Sequence, residues 1–117
     1  MNVIRLLLGT FVLLAAAGFV ACGETTPVDF GGAIPDGAPH IDQDATKFKP
    51  TELTVDVLES VYFSNSSTAL HNVVINGKNE SGDMERGDVF SFTFPEAGEY
   101  QVSCTYHPQM KTKITVK

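Results

Sequence analysis

The sequence predicts an all-β fold, an antiparallel sandwich or Greek-key barrel of six to eight short strands, and three observations carry that expectation. From about residue 41 onward apolar side chains recur at every second position, the period of a strand with one buried face. Clusters of turn-forming residues interrupt these runs about every ten residues. No stretch after the first 21 residues holds a helical period of useful length. The 117 residues suffice for one domain and are too few for two independent cores.

Residues 1–21 read as an export signal, with Arg5 as the positive charge and Leu6 to Val20 as an uncharged apolar run too short to span a membrane comfortably. Small residues at Ala15 to Ala17 and Ala21 suit cleavage. The run ends in "FVAC", which resembles a bacterial lipobox although Phe19 stands where that motif usually has leucine. The resemblance implies lipidation of Cys22, so that the protein is anchored to a membrane rather than spanning it. Residues 22–40 are rich in Gly, Pro, Thr and Asp and read as a flexible tether, with His40 exposed at its end. The folded domain is expected over residues 41–117.

Within that domain each run has its own alternation. Leu53, Val55 and Val57 share one face of "ELTVDVL", and Val61 and Phe63 repeat the pattern. "VFSFTF" sets Phe90, Phe92 and Phe94 inward, opposite Ser91 and Thr93. Tyr100, Val102 and Cys104 follow, placing Cys104 on the inward face at a strand's end, and Ile114 and Val116 mark the last strand. The turns are "SNSS", "NGKNESGD" and "PEAG". Tyr100 shortly after Gly98 resembles the tyrosine corner of Greek-key folds.

Charge narrows the partners. Of the eight basic residues Arg5 alone falls in the leader, so 14 acidic side chains face seven basic ones in the remainder, a net charge of −7. That surface repels nucleic-acid phosphates and anionic lipid, and it fits a monomer meeting a neutral or basic protein. Glu80, Asp83, Glu85 and Asp88 cluster around one turn as a solvated loop.

"CTYHPQM", residues 104–110, carries a thiol, an imidazole and a thioether. Singly, Cys104 suits a buried small residue, Met110 a core filler and His71 a strand-end histidine. In an oxidising compartment a Cys22 to Cys104 disulfide is a further possibility, although it leaves His107 and Met110 unexplained. Taken together, Cys104, His107 and Met110 lie three residues apart, and on a tight loop they converge where on a strand they would spread over about 20 Å. Pro108 stiffens that loop, and His71, opening a strand in "LHNVVI", offers the second imidazole. Thiolate, two imidazoles and a thioether favour copper, whereas zinc gains little from methionine.

From about residue 46 to 117 the elements "TKFKPTELTV", "VYFSN", "HNV", "FTFPEAGEYQVSCTYHPQM" and "KITV" occur in order, and the chain resembles the cupredoxins, the small blue copper proteins, most of all amicyanin and plastocyanin. The resemblance implies His71, Cys104 and His107 as equatorial ligands of one type 1 copper ion and Met110 as the weak axial ligand. It also implies a side-chain link between Asn72 and Thr105, and a solvent-facing edge of His107 as the electron's exit. Amicyanins take electrons from an amine dehydrogenase and pass them to a c-type cytochrome, so redox proteins of those classes are the implied partners. The expected compartment is the periplasm or the outer face of the cell membrane.

The chain departs from the family pattern at "LES" before Val61, at Leu70, at Thr112 and at Tyr106, which stands in place of proline. Tyr106 restores a backbone N–H expected close to the Cys104 sulfur. A closed site of four donors suits single-electron shuttling and not catalysis, while copper carriage to an exported enzyme is the alternative. A nucleophilic role for Cys104 with His107 as base lacks an acidic orienter and would leave Met110 idle.

Overall fold

A computed structural model of the chain describes residues 33–117. The leader, Cys22 and residues 22–32 of the tether lie outside the described residues. Nine strands follow in order: β1 (His40–Gln43), β2 (Phe48–Lys49), β3 (Glu52–Val55), β4 (Ser60–Asn65), β5 (Val74–Ile75), β6 (Lys78–Asn79), β7 (Val89–Thr93), β8 (Gly98–Ser103) and β9 (Lys111–Val116). They form a sandwich of two sheets, ordered β2-β1-β4-β7 and β3-β9-β8-β5-β6. Among the described residues no helix is long and apolar enough to cross a membrane.

The sheets are mixed rather than purely antiparallel. β1 runs parallel to β4, with His40 opposite Tyr62 and Gln43 opposite Asn65, and β3 runs parallel to β9, with Leu53 opposite Ile114. Parallel neighbours need a crossover. The segment between β1 and β4 supplies one by sending β3 to the opposite sheet, a connection that alternation within single strands does not reveal. The extra strands beyond the expected count are the two-residue pieces β2, β5 and β6, too short to show a period.

Alternation places the core. Ile41, Val61, Phe63, Phe90, Phe94, Val102, Ile114 and Val116 are buried together, with Leu53, Phe92 and Tyr100 packed at the margin. The rings form a ladder, with centroids 6.0 Å apart for Phe63 and Phe90, 4.8 Å for Phe92 and Phe94, and 4.7 Å for Phe94 and Tyr100. The Tyr100 hydroxyl donates to the Glu96 carbonyl at 2.7 Å, which pins the turn before β8.

Val57 departs from its expected inward face. The chain turns after β3, with Glu59 N–H donating to the Asp56 carbonyl and Asp56 N–H donating to Glu59 Oε1, so Val57 lies 40% exposed at the turn. "NG" at Asn76 and Gly77 joins β5 to β6, both residues taking positive φ as a tight hairpin turn demands. The parallel register of β1 with β4 makes the described chain enter the sandwich at the end where β4 begins. The loops after β1, β4, β6 and β8 gather at the other end.

Candidate metal centre

β8 carries Val102 inward, and Cys104, one residue past its end, continues that face with 2% exposure. Ser103 pairs with Lys111 across β8 and β9, closing the base of a short loop that holds Thr105 to Met110. Within it Met110 N–H donates to the His107 carbonyl at 2.8 Å, which brings Met110 back into the core at 1% exposure. His107 is half-buried, while Met110 and Cys104 are buried.

His71 does not open a strand. It sits on an isolated bridge to Met84, three residues before β5, with His71 N–H donating to Met84 O at 3.1 Å and Met84 N–H donating to His71 O at 2.7 Å. This brings the imidazole, fully buried, beside the loop of Cys104. Cys104 Sγ lies 3.7 Å from His71 Nδ1 and 3.8 Å from His107 Nδ1. The three donor atoms lie within 4.8 Å of one another. Two donors held about 2.0 and 2.3 Å from one metal at a trigonal angle stand about 3.7 Å apart, so this spacing fits a single ion.

Further bonds orient the His71 ring. His71 Nε2 is 2.7 Å from the Asp44 carbonyl oxygen and 3.1 Å from Ser67 Oγ. A carbonyl only accepts, so Nε2 carries the proton and Nδ1 presents its lone pair toward Cys104. Burial pushes the His71 imidazole below its ordinary pKa, partly offset by the Asp44 carbonyl. Asp44 is itself fixed: its carboxylate accepts from the Thr46 and Lys47 N–H groups and pairs with Lys49 at 2.9 Å. Those partners, Lys49 foremost, hold its pKa down to about 2.

Asn72 and Thr105 are joined twice, Asn72 Nδ2 donating to Thr105 Oγ1 at 3.1 Å and Thr105 N–H donating to Asn72 Oδ1 at 2.9 Å. Among the described residues the Tyr106 N–H makes no hydrogen bond to the Cys104 sulfur, contrary to the expectation drawn from its replacing proline. Its tie is through the side chain, whose hydroxyl donates to Asp83 Oδ1 at 2.6 Å. That bond is the main cause raising the Tyr106 phenol above its ordinary pKa. Asp44, Ser67 and Met84 were not singled out for the site from sequence, because they act through backbone atoms or hydroxyls that carry no motif.

Residues 36–117 match the family described as copper binding proteins, plastocyanin/azurin family. The amicyanin of Paracoccus denitrificans is 35% identical over 125 aligned positions, covering 97% of this chain and 95% of the relative. The amicyanin of Paracoccus versutus is 31% identical over 72% of this chain and 68% of its own length. A crystal structure of the amicyanin from Paracoccus versutus superposes with a TM-score of 0.70 at 29% identity, over 80% of this chain and 93% of that one. A sandwich of this topology, a buried thiol with two imidazoles at single-ion spacing, and kinship over nearly the whole length all agree: the chain belongs to the plastocyanin/azurin family of copper-binding proteins, small carriers of single electrons.

Proposed function

We propose that the protein is an exported mononuclear blue copper protein that shuttles single electrons between redox protein partners, such as a dehydrogenase and a c-type cytochrome. The supporting observation is the convergence of Cys104 Sγ, His71 Nδ1 and His107 Nδ1 within 4.8 Å, two of them buried and one half-buried. His71, Cys104 and His107 would hold the copper strongly, and Met110 weakly from the loop's far end. When bound, copper supplies the one-electron couple Cu(II)/Cu(I).

The chain's own part is to keep that donor set still. The Asp44 carbonyl sets the tautomer of His71, the Asn72–Thr105 link binds the two ligand loops, and the bend at Met110 returns the thioether to the core. A donor set already in place needs little rearrangement between oxidation states, which favours shuttling. His107, the half-buried member of the three, is the route by which the electron leaves.

In this reading the protein lies outside the cytoplasm, carried there by residues 1–21, lipidated at Cys22 and held by the tether that follows, which ends where β1 begins at His40. Entry of the chain at the end of the sandwich opposite the donor cluster supports this arrangement, since an anchored tether would leave His107 facing away from the membrane. Mass spectrometry of the mature N-terminus tests the anchor.

For the function itself, purified protein titrated with Cu(II) should take up one equivalent, develop an intense visible thiolate-to-copper band and bleach reversibly with a one-electron reductant. Cys104→Ser should stay colourless. A colourless wild-type protein with no stoichiometric copper would overturn the proposal. Rapid handover of Cu(I) to a competing apo-protein, in place of stable redox cycling, would favour copper delivery.

A further inference from the structure

Tyr106 and Asp83 make a bond that neither the ligand set nor the Asn72–Thr105 link explains. Tyr106 is 46% exposed, an open position for an aromatic side chain. Its hydroxyl nevertheless meets Asp83 Oδ1 at 2.6 Å, in the range of a charge-assisted hydrogen bond. Tyr106 stands between Cys104 and His107, and Asp83 directly precedes Met84, whose N–H and carbonyl both pair with His71. The bond therefore spans from the loop that carries Cys104, His107 and Met110 to the segment that pairs with His71.

We propose that Tyr106 is a positioning residue: its hydroxyl, clasped by Asp83, ties the ligand loop to the segment paired with His71, a second tie beside the Asn72–Thr105 link, and holds the His107 side of the loop at its spacing from Cys104. Thr105, one position earlier, is tied to Asn72, the neighbour of His71. Consecutive loop residues are thus fastened to the two segments around His71, one through Asn72 and one through Asp83. A single tie leaves the loop free to pivot about it, and two ties remove that freedom. The 3.8 Å separation of Cys104 Sγ from His107 Nδ1 is then a property of the polypeptide itself. The inference rests on the copper reading only for its metal-dependent readout.

Hydrogen exchange of metal-free protein tests the clasp directly. The reporters are the amides of Thr105 and Met110, bonded to Asn72 and to the His107 carbonyl. Tyr106→Phe, which keeps the ring and deletes one exposed oxygen, should speed exchange at both by about 3- to 10-fold. Asp83→Ala should match it, Asp83→Asn should rescue part of the loss, and the Tyr106→Phe/Asp83→Ala double variant should be no worse than either single one. On copper-loaded protein, removal of Cu(I) by a chelator should accelerate by a similar factor. Unchanged exchange in Tyr106→Phe, or additive effects in the double variant, would overturn the clasp. Failure of the wild type to take up copper would count against the copper reading alone, since the metal-free exchange still decides this one.

Discussion

The backbone carbonyl of Asp44 lies 2.7 Å from Nε2 of His71, 27 positions away in the chain, and so decides which imidazole nitrogen is free to face Cys104. A buried, neutral imidazole has a consequence in the metal-free protein. His71 is held below its ordinary pKa of 6.5 by burial, while the unfolded chain takes up the proton near 6.5. The stability this neutrality contributes is complete above about pH 6.5 and is lost progressively as pH falls below it. Thermal melts of metal-free protein should therefore show a falling Tm from pH 6.5 downward, and a smaller fall in His71→Gln. Equal slopes would show that His71 is not the group responsible.

Asn72 offers a test of the link between ligand loops. It is buried, and its carboxamide receives the Thr105 N–H and donates to the Thr105 hydroxyl. Asn72→Ala leaves the Thr105 N–H without its partner and should cost about 1–3 kcal/mol in denaturant unfolding of metal-free protein. Copper loss should accelerate as well, because the tie lies one residue from Cys104.

How much of this was legible beforehand follows from what each feature depends on. The buried faces of β4, β7, β8 and β9 come from alternation within single strands, so Phe63, Phe90, Val102 and Ile114 were readable one segment at a time. The donor loop was readable because Cys104, His107 and Met110 lie within seven residues. The parallel pairings of β1 with β4 and of β3 with β9 were not, since register between distant segments leaves no local periodicity. Nor were the Asp44 carbonyl and the Asp83 carboxylate, which reach the site only because the loops that carry them are neighbours in space.

Tyr100 separates the scaffold from the site. Its hydroxyl bonds the Glu96 carbonyl at 2.7 Å, and its ring packs on Phe94 at the end of the sandwich away from the donors. Tyr100→Phe keeps the ring and loses the bond, so chemical denaturation should report about 0.5–1.5 kcal/mol of lost stability. The copper absorption band and reduction potential should remain those of the wild type. A shifted potential would mean that this corner is coupled to the ligand loop.

Among the described residues Gln43 is the buried polar side chain left with an unpartnered atom. It lies at the inward-facing end of β1, fully buried, opposite Asn65 and Phe48. Its Nε2 donates weakly to Met84 Sδ at 3.5 Å, and its Oε1 is buried without a partner. A buried carbonyl that gave up water and gained no donor opposes folding by about 1–3 kcal/mol. Gln43→Leu removes that oxygen together with the weak sulfur contact at nearly constant volume. The backbone carbonyl of residue 43 still receives Ser66. The variant should gain about 1 kcal/mol and melt about 4–8 °C higher, with the copper band unmoved because no donor is touched. Gln43→Glu should do the reverse and lower Tm sharply at neutral pH, since full burial penalises a carboxylate at the same place. A destabilised Gln43→Leu would show that the amide's contact with Met84, on the bridge that carries His71, is worth more than the unpaired oxygen costs.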